Sequence, residues 1–158
     1  MTMSFFRLIW LLPIMFAAHV AEEYLTGYPA WATEVTGQPM ELPTFLASNI
    51  AFIAIMLLLT RWAARSKSPA AIFWLLSWAA GNLFWNFVYH LMSVVAYDSS
   101  SPGIMTATLI YLPLSLATWR AALDEKLIRP AALLGAIAIG GAFMGAVTAF
   151  GIYHLGGV

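Results

Sequence analysis

The sequence predicts an all-α membrane protein, a bundle of five transmembrane helices that forms a single domain over residues 1–158. Composition and the placement of charges predict this fold. Of the 158 residues, 62% are hydrophobic and only 9% are charged, whereas a soluble domain usually needs about a quarter of its residues charged. The hydrophobic residues also lie in long runs, as a chain surrounded by lipid requires. The composition therefore excludes an ordinary soluble domain.

Five apolar runs have about the 20-residue length that crosses a bilayer. The predicted spans lie near 5–26, 44–62, 70–96, 103–120 and 130–154. Four of them should begin at a proline, where the missing N–H is not needed. These prolines are Pro43, Pro69, Pro102 and Pro130. Ser68 and Ser101 are N-cap candidates, and Pro13 and Pro113 should kink the first and fourth spans.

The basic residues predict the orientation of the bundle. All seven fall on one side of a five-span topology, namely Arg7, Arg61, Arg65, Lys67, Arg120, Lys126 and Arg129. The positive-inside bias makes this side cytoplasmic, with the N-terminus inside and the C-terminus outside. The segment after Arg7 also resembles a signal peptide, but its removal would leave an even number of spans that fits the charges no better. We therefore expect a protein integral to the plasma (bacterial inner) membrane.

Other features bear on partners. The net charge is zero, so nothing indicates nucleic acid, and the lack of cysteine excludes disulfides and thiolate metal sites. The connection 27–42 is long enough to be a lid or an interfacial stretch anchored by Tyr28 and Trp31. Gly141 and Gly145 predict a small-residue ridge where another helix approaches closely, within the chain or from a second copy in a homo-oligomer.

One face of the first span carries three ionisable residues, which by default mark a functional site inside a membrane. At about 100° per residue, Glu22 and Glu23 project within about 60° on either side of His19. Two adjacent glutamates could not both stay ionised in a dry site without a cation or a strong donor nearby. The first span therefore supplies an imidazole and two carboxylates to one site.

A polar stripe on the third span reaches the same depth. Asn82, Asn86 and His90 are spaced four apart and share one helix face. His90 and His19 each lie about seven residues from the outer ends of their spans, roughly 10 Å below the boundary at 1.5 Å per residue. The N-terminus of the fourth span brings the Thr106 hydroxyl and free N–H groups, which favour a negative group, to this layer.

A third imidazole is available at the end of the fifth span. His154 could join the site, or it could be solvated at the outer boundary.

Taken in order, three motifs resemble those of the HXXEE family of small bacterial membrane proteins. They are His19-x-x-Glu22-Glu23, Asn86-x-x-x-His90 and Pro102-Gly103-x-x-Thr106. No single motif is selective, but the ordered set is, and it brackets most of the chain from the first to the fourth span. The resemblance implies a helical membrane domain and supplies no reaction.

The leading interpretation of the cluster is a divalent metal site. His19, Glu22, Glu23 and His90 are the candidate ligands, with Asn86 as a further ligand or outer partner, and mixed imidazole and carboxylate ligands suit zinc, iron or manganese. The predicted function is a metal-dependent hydrolase or oxidoreductase that acts on a lipophilic small molecule or lipid. Glu22 and Glu23 are then the candidate catalytic groups.

Two other functions remain open. A metal-free carboxyl and imidazole pair could catalyse acid–base isomerisation, as in membrane sterol isomerases, an analogy at the level of the fold alone. A transporter or sensor could bind a metal ion or proton at the same place. The spans look apolar below Asn82, which favours a one-sided pocket over a channel. For Asn82 and Asn86, a purely structural role in bonding helices together is an equal alternative.

Overall fold

The computed structural model describes residues 3–37 and 39–149, and this part of the chain is helical, without strands. The first helix, α1, covers Phe5–Leu25 and is interrupted between Phe5–Leu8 and Leu11–Leu25. The remaining helices are α2 (Tyr28–Thr36), α3 (Leu42–Ser66), α4 (Pro69–Tyr97), α5 (104–124) and α6 (Pro130–Ala149).

Four of these helices, α1, α3, α4 and α6, are long and apolar enough to cross a membrane, as expected of a membrane protein. They also expose large apolar side chains, among them Ile50, Leu58 and Leu134, which are 66%, 66% and 67% exposed. Helix α5 forms where the fourth span was predicted, but it carries more polar residues, including the buried Ser115 and Thr118. The fifth span and the orientation of the termini therefore stay predictions.

The helix starts follow the predicted signals with one exception. Ser68 caps α4, because its hydroxyl accepts a hydrogen bond of 3.2 Å from the Ala71 N–H. At α5 both signals fail, because Ser101 does not cap the helix and Pro102 lies before the N-cap rather than in the first turn, so these two predictions were wrong. The N-cap is Gly103, whose φ of 94° lies in the left-handed region, and Ser101 is fully buried instead.

The prolines inside helices coincide with irregular backbone, as predicted. The break in α1 falls at Ile9 and Trp10, because Pro13 has no N–H for the carbonyl four residues earlier. In α5, Pro113 lies two residues after the end of a π-helical stretch, Ala107–Tyr111, and it likewise has no N–H for the carbonyl four residues earlier.

Helix α4 lies at the centre of the bundle and packs against α3, α5 and α6. Its contact with α6 depends on two glycines, since a Cβ added to Gly140 would lie 2.6 Å from the Gly81 nitrogen. The predicted ridge on α6 has a different environment. Gly141 lies under Trp85 of the same chain, whereas a Cβ added to Gly145 would meet no described residue within 4 Å.

The segment predicted as a long connection contains a helix, α2, between two glycines in the left-handed region, Gly27 and Gly37. Tyr28 and Ala32 of α2 are buried and pack with Phe45 in a small apolar cluster. This cluster closes the end of the bundle at which α1 and α4 end and α5 begins.

Candidate metal centre

Three predicted site residues meet at this end of the bundle. His19, Glu23 and His90 each offer one ligand atom, and these atoms lie within 4.8 Å of one another. Glu23 Oε1 lies 3.4 Å from His19 Nε2 and 3.3 Å from His90 Nε2. His19 and Glu23 come from one face of α1, because residues four apart stack on a helix, and His90 comes from α4. The three residues are at most 5% exposed.

Hydroxyl groups hold the far side of both imidazoles. His19 Nδ1 lies 2.8 Å from Thr106 Oγ1, and the Thr106 hydroxyl donates its single proton to the Gly103 carbonyl at 3.3 Å. Thr106 Oγ1 therefore accepts the bond from His19, which places the ring proton on Nδ1. His90 Nδ1 lies 2.9 Å from Ser101 Oγ in the same way. Outer partners of this kind orient metal-binding histidines in proteins.

The inward nitrogens need a cation or a proton. Neither His19 Nε2 nor His90 Nε2 makes a hydrogen bond to any described residue, although both are buried. A lone pair on Nε2 is repelled by the carboxylate oxygen of Glu23, and a buried polar atom without a partner costs about 1–3 kcal/mol. A metal ion between the three atoms would remove both penalties, so the group could hold one.

The backbone at Gly103 closes over the three residues. A Cβ at this position would lie 2.8 Å from His19 Cε1 and 2.9 Å from both His90 Cε1 and Glu23 Cγ. The positive φ and this close approach both require glycine. The Pro-Gly pair that marked a helix start in the sequence thus also forms a wall of the site.

Glu22 has different partners from its neighbour Glu23. Its carboxylate accepts hydrogen bonds from the backbone N–H groups of Thr106, at 2.8 Å, and Met105, at 3.3 Å. A carboxylate stabilises a helix N-terminus in this position. The predicted pairing of both glutamates at one metal therefore differs from the observed contacts, in which Glu22 fixes the start of α5 and Glu23 faces the imidazoles.

The polar stripe of α4 does not enter the site as a unit. Asn82 lies within the π-helical stretch Ala80–Trp85, and its Nδ2 donates to the Trp78 carbonyl, four residues earlier in the same helix, at 2.9 Å. Asn86 is half-buried, and its Oδ1 has no hydrogen-bond partner among the described residues. Only His90 of the stripe joins the three-residue group. The predicted role of His154 falls outside the described residues.

Tyrosines form much of the remaining wall. The rings of Tyr111 and His19 are 4.4 Å apart, and the rings of Tyr28 and Tyr89 lie 5.9 Å and 5.4 Å from that of His90. Tyr28 also donates a hydrogen bond of 3.0 Å to the Tyr89 hydroxyl. Sequence reasoning missed Tyr89 and Tyr111, because aromatics in apolar runs look like ordinary core, and it noted Tyr28 only as an anchor or lid residue of the connection 27–42.

Ser101 was also missed as a site residue. The signal for it was present, since a serine before Pro-Gly lies beside the predicted site layer, but the same pattern is typical of a helix cap.

Comparison with known proteins places all these contacts within one family domain. The profile of the family described as "Protein of unknown function with HXXEE motif" matches residues 10–118. The match includes the three clustered residues, Glu22 and the start of α5. No curated protein and no solved structure matches the chain.

Proposed function

We propose that this chain, which belongs to the family of proteins of unknown function with the HXXEE motif, is a metal-dependent membrane enzyme. Its centre would be a divalent cation held by His19, Glu23 and His90. The observation that supports this most directly is the convergence of two buried Nε2 atoms on one carboxylate oxygen, without a hydrogen bond from either nitrogen.

The number and type of ligands favour catalysis. Structural zinc sites usually have four protein ligands, whereas catalytic sites have three and keep a position open for water or substrate. Two imidazoles and one carboxylate form the donor set of zinc hydrolases and also of non-haem Fe(II) oxygenases. A bound metal would supply either an activated water or a Lewis acid.

The charge balance of the buried layer also supports a divalent cation. Glu23 is 5% exposed and contacts both imidazoles, whereas the carboxylate of Glu22 is already bound by the N–H groups at the start of α5. An ionised Glu23 between two neutral imidazoles would leave one buried negative charge, which a divalent ion offsets. An uncompensated charge in a dry site is costly.

The proposed placement in the membrane follows from the ends of the helices. The cluster lies where α1 and α4 end and α5 begins, whereas Arg65 and Lys67 lie at the end of α3 that leads into α4. With α5 as a fifth span, all basic residues would be cytoplasmic and the centre would lie toward the outer side. A lipophilic substrate would then reach it from the outer leaflet.

The protein's own side chains would have three tasks in such an enzyme. Thr106 and Ser101 orient the two imidazoles, Glu22 fixes the first turn of α5, and Tyr28 covers His90 and excludes water.

Elemental analysis of the purified chain tests the proposal. Protein prepared in detergent without chelator should contain about one zinc, iron or manganese ion per chain, and His90→Ala should contain none. Asn82→Ala is the matched control, because Asn82 is a buried polar residue of the same helix outside the cluster. An absence of stoichiometric metal in the parent chain, also after incubation with Zn²⁺, Mn²⁺ and anaerobic Fe²⁺, would overturn the proposal.

One observation favours a second candidate, a metal-free acid–base enzyme. A protonated imidazole could also occupy the contacts of 3.3 Å and 3.4 Å around Glu23 Oε1, and a carboxyl and imidazole pair can move a proton on a lipophilic substrate. The elemental analysis separates the two candidates. A metal that binds stoichiometrically without any turnover would instead favour a sensor or transporter.

A further inference from the structure

A groove lies beside the candidate metal centre on the surface between α4 and α6. It is an open depression with a volume of about 380 Å³, a size within the usual range of small-molecule sites. The residues that matter here are Trp85, Tyr89, Met144 and Gly145. None of the lining residues carries a charge, so the groove suits hydrocarbon better than a charged headgroup.

Small residues of α6 create this space. Trp85 covers Gly141, where an added Cβ would lie 2.8 Å from Trp85 Cε2, while a Cβ added to Gly145 would meet none of the described residues within 4 Å. A helix from a second copy would need the flat surface over both glycines, and Trp85 already occupies half of it. The unfilled part at Gly145 is therefore better suited to a flexible chain than to a helix.

Tyr89 is shared between the groove and the metal centre. It lines the groove, its ring lies 5.4 Å from the ring of His90, and its hydroxyl accepts the hydrogen bond from Tyr28. A molecule in the groove is thus separated from a candidate ligand by one aromatic side chain.

We propose that the groove binds a single long acyl chain, the hydrocarbon part of the substrate, and that Tyr89 is the positioning residue between this chain and the metal centre. The assignment of the acyl chain to a substrate rests on the proposed function, whereas its binding in the groove does not. The substrate class is then a single-chain amphiphile, such as a fatty acyl ester, amide or acid.

Photolabelling tests the groove directly. The probe is palmitic acid with a diazirine on its chain, added to the full chain in vesicles of palmitoyl-oleoyl phosphatidylcholine, and labelled residues are mapped by mass spectrometry. Labels should be enriched at 141–149 over the exposed face of α3. Gly145→Leu, whose Cβ would meet no described residue within 4 Å, should reduce labelling at 141–149 to the level of α3.

The matched control is Ala138→Leu, an exposed small residue of the same helix outside the groove, which should retain the enrichment. Leucine favours helix at both positions, so both variants should fold, and both should keep the parent's metal content. Even labelling of α3 and α6 in the parent, or unchanged labelling in Gly145→Leu, would overturn the groove. If the parent forms dimers and Gly145→Leu abolishes them, a second copy of the chain occupies the groove, and the proposal is overturned.

The two proposals fail in different ways. If the chain binds no metal but labelling is enriched at the groove, the proposed function is overturned and acyl-chain binding in the groove stands. If the chain binds stoichiometric metal but labelling is even, acyl-chain binding is overturned and the proposed function stands.

Discussion

The two ends of the bundle bury different kinds of residue. At one end the core is made of Phe5, Leu75, Met56 and similar apolar side chains, whose burial contributes about 25 cal/mol per Å². At the other end His19, Glu23 and His90 are equally inaccessible, although burial of such groups costs free energy unless they are paired. The difference indicates that the first end stabilises the fold, while the second depends on a ligand or proton for its balance.

The comparison predicts that the apolar end can lose stability without losing the site. Leu75→Ala removes a fully buried side chain and should lower the free energy of unfolding by about 2–5 kcal/mol. Unfolding in mixed micelles measures this loss, and Zn²⁺ affinity of the folded fraction should not change. Leu58→Ala, at an exposed leucine of α3, is the control with little loss. A parallel fall in metal affinity in Leu75→Ala would show that the two ends are not independent.

At Glu23 we expect the opposite result, a loss of metal binding without a loss of stability. Glu23→Gln should weaken Zn²⁺ binding by more than about 100-fold, the upper value for loss of an outer partner, because an anionic ligand is lost. The metal-free variant should be at least as stable as the metal-free parent, since a buried charge is gone. Isothermal titration and thermal melting measure the two effects.

Glu22→Gln serves as the adjacent control for that variant. It should keep the metal and lower stability by roughly 0.3–1 kcal/mol, because Glu22 faces the N-terminus of α5. Equal effects on metal affinity from the two substitutions would contradict the separate roles of the two glutamates.

A smaller effect is expected from the hydroxyl behind His19. Thr106→Val keeps the backbone bond to Glu22 but removes the acceptor for His19 Nδ1, and it should weaken metal binding by about 10–100-fold. Thr106→Ser should restore most of the affinity. If Thr106→Val binds metal with the parent's affinity, the orientation of the imidazole does not depend on this bond.

The smallest effect is expected at α2. Tyr28→Phe removes the hydrogen bond to Tyr89 and should cost about 1 kcal/mol, seen as severalfold faster transfer of bound metal to an external chelator. Tyr24→Phe, at a tyrosine that is 51% exposed, is the control. Unchanged transfer rates in Tyr28→Phe would mean that metal does not leave past α2.

Much of the helical architecture could be predicted because it depends on local signals. Apolar runs, Ser68 before Pro69, and Pro13 act within a few residues of themselves, and the helices form near the predicted bounds. The helix α2 was missed because Gly27, Pro29 and Gly37 are typical of a connection. In the structure the two glycines lie at the ends of a short helix that is stabilised by tertiary packing.

The site could be predicted in its residue types and depth but not in its partnerships. Helical spacing puts Glu22 and Glu23 on one face of α1 with His19, and it does not decide which of them turns toward α4. That choice depends on where α5 begins, since its free N–H groups bind Glu22. The role of Ser101 depends on the same tertiary contact, which leaves no periodic pattern in the sequence.

The contacts between α1 and α5 have a mechanical consequence. At one end Thr106 is bonded to both His19 and Glu22, and at the other end the Phe5 N–H donates a hydrogen bond of 2.7 Å to Glu125 Oε1. Because hydrogen bonds join α1 to α5 near both ends, sliding one helix along the other would break both sets of bonds. The wall that α1 and α5 form around the buried centre is therefore held at two levels of the bundle.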